Sequence, residues 1–243
     1  MRASGACVFG NAILLGWAAF ERLAFCVLHA SDVFAAASGL KSFIRIGFFD
    51  VEPVRVSMKR AFDLTICCVA ALVLIVPMVL VAVAVRVTSA GPVLYWSERV
   101  GRDNRPFMMP KFRSMRVGTP ALASHLLDHP ERWLTSIGPF LRKTSLDELP
   151  QLWSIFRGDM SFVGPRPALF NQYDLIALRQ KHGLHVLKPG LTGWAQVNGR
   201  DELPLHVKVA YDAEYMTRMS LLFDVRILRM TFLRVVQGDG VRH

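Results

Sequence analysis

Two adjacent carboxylates, Asp147 and Glu148, stand among cations in a way that invites phosphoryl chemistry. Arg142 and Lys143 lie just upstream, Lys111 and Arg113 further back, and Arg166 is held between Pro165 and Pro167 in a rigid turn. A diphosphate substrate needs such cations, because charge on the phosphoryl oxygens must be neutralised before an anionic nucleophile can approach. A carboxylate can attack phosphorus to give an acyl phosphate, and a divalent cation bridging carboxylate and diphosphate lowers the remaining repulsion. The same placement has a plainer reading. Ser145 can cap a helix whose first turn holds both acids, with Pro150 early in it and Leu149, Leu152, Trp153 and Phe156 as its apolar stripe, and acids in a first turn complement the helix dipole whatever else they do.

Other clusters carry less. His125, Asp128 and His129 have a helical spacing that can hold a metal, but Pro130 follows at once and no third ligand is evident. His182 and His185 read as surface or packing residues. Cys7, Cys26, Cys67 and Cys68 show neither zinc spacing nor a disulfide framework and read as small hydrophobes in a reducing compartment. Nothing matches a Walker loop, a dinucleotide fingerprint, a serine elbow or a nucleic-acid module.

The elements that must position the acids begin with an apolar run. Leu64 to Val85 is 22 residues without a charge, about 33 Å of helix, the thickness of a bilayer core. Pro77 in its second half deletes a backbone hydrogen bond and should bend or break it. Arg55, Lys59 and Arg60 precede the run, and Arg86, Arg99, Arg102, Arg105, Lys111, Arg113 and Arg116 follow, so both flanks carry the positive signature of the cytoplasmic side. A re-entrant helix-break-helix that enters and leaves by one face satisfies both flanks, whereas an ordinary kinked span violates one. The net charge of +10 in a chain that is 52% hydrophobic suggests a polyanionic partner, whether nucleic acid, an anionic leaflet or phosphorylated substrates, and composition alone does not choose among them; a nucleic-acid binder would leave the apolar run unused.

Beyond Gly91-Pro92 the composition turns globular. Val93 to Trp96 is expected as a short strand, Pro106 to Pro110 as an irregular connection, and Ser124 to Trp133 as a helix ended at Pro130. Leu221 to Val236 pairs an apolar face with Arg226, Arg229 and Arg234, which suits either a helix lying on a membrane or a core helix with a basic outer face. Three regions follow: 1–57 as an N-terminal extension, read either as an interfacial helix or as upstream translation of a gene starting at Met58; 58–90 as the re-entrant membrane helix; and 91–243 as a small cytoplasmic catalytic domain with interfacial amphipathic helices. The expected class is a mostly α, α/β monotopic membrane protein.

Five ordered runs, KRAFDL at Lys59 to Leu64, KFRSM at Lys111 to Met115, TSLDELPQLW at Thr144 to Trp153, GDMSFVGPRP at Gly158 to Pro167 and KPGLTGWAQVNGR at Lys188 to Arg200, resemble the bacterial sugar transferases, the monotopic phosphoglycosyl transferases. The resemblance implies transfer of a sugar phosphate from a UDP-sugar, of glucose or galactose type, to undecaprenyl phosphate with release of UMP, at the bacterial inner membrane with the catalytic domain facing the cytoplasm. It implies Asp147 as nucleophile, Glu148 beside it, magnesium on that pair, Arg142 near the substrate phosphates, where the charge pattern also puts Lys111 and Arg113, and Pro165, Arg166 and Pro167 at the nucleotide. It implies a helix break at Val76-Pro77, where relatives often have Ser before the proline, so any hydrogen bond of that serine must come from elsewhere here. Lipid is an implied partner, nucleic acid is not, and a homodimer is left open. The competing class is a membrane scaffold without catalysis, which explains charge and hydropathy but not an Asp-Glu pair ringed by cations.

Overall fold

A computed structural model describes residues 51–120, 128–199 and 203–237; the readings of residues 1–50 and of His125 fall outside them. From Val56 onward the chain forms one compact unit. It opens with helix α1, Val51–Thr88, whose stretch from Ser57 is the one helix among the described residues long and apolar enough to cross a membrane. Helical structure continues through Val76 and Pro77, so the expected break is not a gap between two helices: proline removes one internal bond, and the flanking turns still close.

The two halves of α1 rest on the same body. In the first, Phe62, Ile66 and Cys67 are buried. There Arg60 donates to the carbonyls of Ile155 and Phe156 at 2.6 and 2.7 Å, the Phe162 amide donates to Asp63, and Cys67 Sγ lies 3.3 Å from the Leu152 carbonyl. In the second, Val81 and Val85 join Phe112 and Leu141 in a core cluster with Leu146 and Leu149 packed on it. Between them Leu72, Val73, Ile75, Val76, Val79 and Leu80 are exposed, an apolar surface that water does not favour.

After α1 comes a hairpin of β1, Leu94–Val100, and β2, Pro106–Phe112, in register from Leu94 opposite Phe112 to Val100 opposite Pro106. Asp103 and Asn104 take left-handed dihedrals in the connection, which their short polar side chains tolerate. Pro106 to Pro110, expected to be irregular, belongs to β2. The strand lies at the sheet edge, paired on one side only, to β1, so a missing N–H costs no ladder bond.

Short elements follow: a 3-10 turn at Pro130–Trp133, helix α2 at Gly138–Thr144, a 3-10 helix at Leu146–Gln151 and helix α3 at Leu152–Arg157. Strands β3, Ser161–Val163, and β5, Gly190–Thr192, pair in parallel; β4, Ala168–Leu169, adds to β1; and α4, Tyr173–Lys181, crosses between them. Gly190 packs so closely on Gly164 that a Cβ there would sit 2.1 Å from the Gly164 amide nitrogen.

The chain closes with α5, Trp194–Gly199, α6, Leu205–Arg218, and α7, Leu221–Gln237. Of the two readings of α7, Phe223 and Ile227 supply a core-facing side, while Leu222 and Leu233 remain exposed apolar residues near Arg226 and Arg229.

A buried polar knot joins α6 and α7 to the start of α1. The Tyr215 hydroxyl lies 2.8 Å from Asp224 Oδ1 and 3.1 Å from the Val163 carbonyl, and Lys59 Nζ is 2.6 Å from Asp224 Oδ2. Tyr215→Phe should therefore lower stability by about 1–3 kcal/mol, because buried polar partners are left unmet. Thermal unfolding in detergent measures this; an unchanged midpoint would mean that the hydroxyl contributes nothing.

Candidate active site

The acids sit where α2 is forced to stop. Ser145 takes a left-handed conformation, φ 56°, and the Glu148 amide bonds back to its carbonyl at 3.2 Å. Ser145 therefore ends α2 and makes no side-chain cap, contrary to the capping expectation. A second difference concerns the apolar stripe. Leu152 and Ile155 are buried, but Trp153 and Phe156 stack on each other at 6.1 Å and stay about half exposed. They lie on α3 beside the point where Arg60 binds its last carbonyls, an aromatic pair of the kind found at membrane interfaces.

Glu148 is held by two cations. Lys111, reaching from β2, places Nζ 2.7 Å from Glu148 Oε1, and Arg166 brings a guanidinium nitrogen to 3.5 Å of the same oxygen. Burial pushes the Glu148 carboxyl upward, but Lys111 and Arg166 outweigh it and hold the group down at about 2.

Asp147 has the opposite fate. It is only 8% exposed and accepts no hydrogen bond among the described residues. Burial, reinforced by the Glu148 charge, pushes its carboxyl up to about 6 against the pull of Lys111, Arg142 and Arg166. Two neighbouring carboxylates thus differ in character: one is a fixed counter-ion, the other a desolvated and more basic anion.

Arg142 is half-buried, donating to Ser114 Oγ at 3.2 Å and lying 3.1 Å from Met115 Sδ. Burial depresses its pKa, and Asp147 and Glu148 oppose that, which places it within their field. Arg166 is aimed by its own turn. The carbonyl of Pro165 accepts from the Gly190 amide, that of Arg166 from Arg179, and that of Pro167 from Arg99, at 2.9, 2.8 and 3.2 Å. Arg179 is itself paired with buried Asp212 at 2.8 Å. The segment from Pro165 to Pro167 is thus fixed by three separate elements.

Of the residues singled out from sequence, Asp147, Glu148, Lys111, Arg142 and Arg166 come together. Arg113 does not. It is 4% exposed, and its guanidinium binds the Ser89 and Ala90 carbonyls, both at 2.8 Å, just past the end of α1. Nor do Asp128 and His129, which are exposed; His129 pairs with Glu131 at 3.1 Å. Arg99 was missed: it adds to the field that keeps Glu148 ionised. Its signal is two-residue periodicity, since Arg99, Ser97 and Tyr95 share the hairpin face of Lys111, but only the register of β1 on β2 reveals it.

Among the described residues no group of three or more His, Cys, Asp or Glu side chains stands together. Magnesium does not require one, since it commonly takes one or two carboxylates and completes its shell with water and substrate phosphate. Asp147 and the Glu148 oxygen turned away from Lys111 suit that role.

Comparison with known proteins agrees in kind. The family model for bacterial sugar transferases matches residues 54–238. The chain is 37% identical over 190 residues to the uncharacterized sugar transferase EpsL of Bacillus subtilis, covering 76% of this chain and 90% of that one. It is 39% identical over 204 residues to the UDP-glucose:undecaprenyl-phosphate glucose-1-phosphate transferase of Xanthomonas campestris, and 38% over 188 residues to that of Escherichia coli. These alignments cover 79% and 74% of this chain but only 42% and 40% of those longer proteins.

A raised carboxyl pKa has a stability consequence. The folded value of about 6 lies above the ordinary 3.8, so ionising Asp147 costs the fold stability as pH rises through that interval. Asp147→Asn should gain about 1–3 kcal/mol at pH near 7.5 and lose the advantage at pH about 4, where the native acid is protonated too. Thermal unfolding at the two pH values in the absence of divalent cations measures it; a variant less stable than the native chain near neutrality contradicts this environment for Asp147.

Proposed function

This chain belongs to the bacterial sugar transferase family, and from that premise we propose that it moves a sugar 1-phosphate from a UDP-sugar to undecaprenyl phosphate and releases UMP. The donor is of glucose or galactose type, by analogy with the glucose-1-phosphate transferase of Xanthomonas campestris and with the undecaprenyl-phosphate galactose phosphotransferase of Salmonella typhimurium, to which the chain is 34% identical over 198 residues. The observation that carries the reading is the contrast between Asp147 and Glu148: a buried carboxylate with no hydrogen bond among the described residues beside one paired with Lys111 and Arg166.

In the first half-reaction an Asp147 carboxylate oxygen attacks the sugar-side phosphorus of the donor. The bond from that phosphorus to the bridging oxygen breaks, and its electron pair leaves on UMP. The product is an aspartyl phosphosugar, and no proton is required. In the second, an oxygen of undecaprenyl phosphate attacks the same phosphorus, and the electron pair of the acyl phosphate bond returns to Asp147. Arg142, Lys111 and Arg166 stabilise the charge on the phosphoryl oxygens. Glu148, held ionised well below neutrality, is a poor proton carrier and serves to fix those cations. Bound at the two carboxylates, magnesium supplies further neutralisation of the diphosphate.

The anchor is read as re-entrant, entering and leaving by the cytoplasmic face of the inner membrane. Supporting this are the positive residues at both ends of α1, the packing of both its halves on one body, and the exposed apolar stretch between them. Such an anchor keeps a water-soluble donor and a lipid-borne acceptor on one side. The first membrane step of polysaccharide assembly is the corresponding role.

Two outcomes test the reaction. UMP release by protein in nanodiscs, with a panel of UDP-sugars, should require undecaprenyl phosphate and magnesium for turnover and should fall by about a thousandfold or more in Asp147→Asn. The rate should rise with pH to a plateau above about 6, because the attacking carboxylate must be ionised. Full turnover in Asp147→Asn, or a rate that climbs as pH falls below 6, would sink the assignment.

A further inference from the structure

Arg113 sits two residues beyond Lys111, immediately after the end of β2, yet no donor of its guanidinium points at the site. One terminal nitrogen binds the Ala90 carbonyl; the other binds the Ser89 carbonyl and, at 3.0 Å, its hydroxyl. The remaining nitrogen, Nε, is buried without a partner, so a substrate phosphate does not reach it. The carbonyls it holds belong to the two residues that follow α1, where the chain has left the helical ladder, and a guanidinium meets both at once in its planar fork. Space has been cleared for it. Gly91 takes φ 116°, and a Cβ there would lie 2.1 Å from an Arg113 terminal nitrogen.

The other half of α1 is fastened elsewhere. Arg60 holds the final carbonyls of α3, the helix that continues directly from the turn bearing Asp147 and Glu148. The two ends of the membrane helix are thus attached to opposite sides of the Lys111–Glu148 contact, one through α3 and the other through β2.

We propose that Arg113 is a positioning residue: it fastens the end of α1 to the strand that carries Lys111, so that the seat of α1 in the bilayer sets how closely Lys111 approaches Glu148. The inference rests on the reaction proposed above for its kinetic readout, and on nothing beyond the contacts for its structural one. A bilayer of different thickness shifts a helix that must bury its apolar stretch, and a clamped helix end passes that shift on. A clamp cut at Arg113 does not.

The test compares native protein with Arg113→Lys, Arg113→Gln and Gly91→Ala in nanodiscs of short-chain and long-chain lipids. Gly91→Ala keeps the arginine in the chain but displaces its guanidinium. The expected result is a kcat reduced about tenfold with donor KM within about twofold, since only the placement of Lys111 changes. Lysine should rescue only in part, because an ammonium cannot hold both carbonyls in one plane. The rate of the native protein should depend on lipid chain length, and that dependence should flatten in the variants. Hydrogen exchange across Lys111 to Ser114 in the same discs reads the coupling without turnover: it should vary with lipid in the native protein and not in the variants. A donor KM that rises while kcat holds would make Arg113 a phosphate ligand and overturn the proposal. So would exchange in the native protein that ignores the lipid. Absence of UMP release from the native protein with lipid-dependent exchange retained would instead remove the proposed reaction and leave the clamp standing.

Discussion

Everything in this chain that bears on chemistry converges on one contact, Lys111 to Glu148 at 2.7 Å. It closes the edge strand of the hairpin onto the 3-10 helix that carries both acids. By engaging Glu148 it leaves Asp147 as the buried carboxylate without a hydrogen-bond partner among the described residues. The difference between the two acids does not arise from residue type, because Asp and Glu have similar intrinsic acidity. It arises from how closely each meets the cations: Glu148 is ion-paired with Lys111 and Arg166, whereas burial outweighs the pull of the same charges on Asp147. Arg166 reinforces the contact, and the three carbonyl bonds that fix its turn explain how an exposed, flexible side chain can be delivered to a defined place.

The membrane helix belongs to the same construction. Its first half is bonded to α3 and the residues just past its far end to Arg113 next to β2, so the apolar segment is part of the frame that sets the acids against the cations. For a reaction between a soluble donor and an acceptor confined to lipid, that arrangement is economical, because the same element that places the site at the bilayer also shapes it. Trp153 and Phe156, stacked and outward-facing on α3, extend the apolar surface next to this frame.

Much of this was legible before the structure. The uncharged run from Leu64 to Val85 could only be a membrane or core helix, and the gathering of Lys111, Arg142 and Arg166 about the Asp-Glu pair could be expected from their charges. What sequence could not show were contacts that depend on register or on a local stop. Arg113 reads as one more cation near Lys111; only the fold turns it toward Ser89 and Ala90. Arg99 is invisible as a contributor until β1 is aligned on β2. Pro106 and Pro110 argue against a strand unless the strand is known to be at an edge. Ser145 looks like an N-cap by residue type, but the tight junction between α2 and the next turn uses it in a left-handed conformation instead. Trp153 and Phe156 fit an apolar stripe, and periodicity cannot distinguish a core-facing surface from an exposed one. In each case the local rule was sound and the surrounding fold overrode it.

The central claim is that Asp147 becomes covalently attached to the phosphosugar. The most direct measurement is the intact mass of the protein after incubation with a turned-over UDP-sugar in the absence of acceptor, followed by peptide mapping. The account predicts an adduct of one sugar phosphate, on the peptide holding Asp147 and at that residue, discharged on addition of undecaprenyl phosphate. A protein that turns over with acceptor present yet never carries the adduct, or carries it on Glu148, contradicts it.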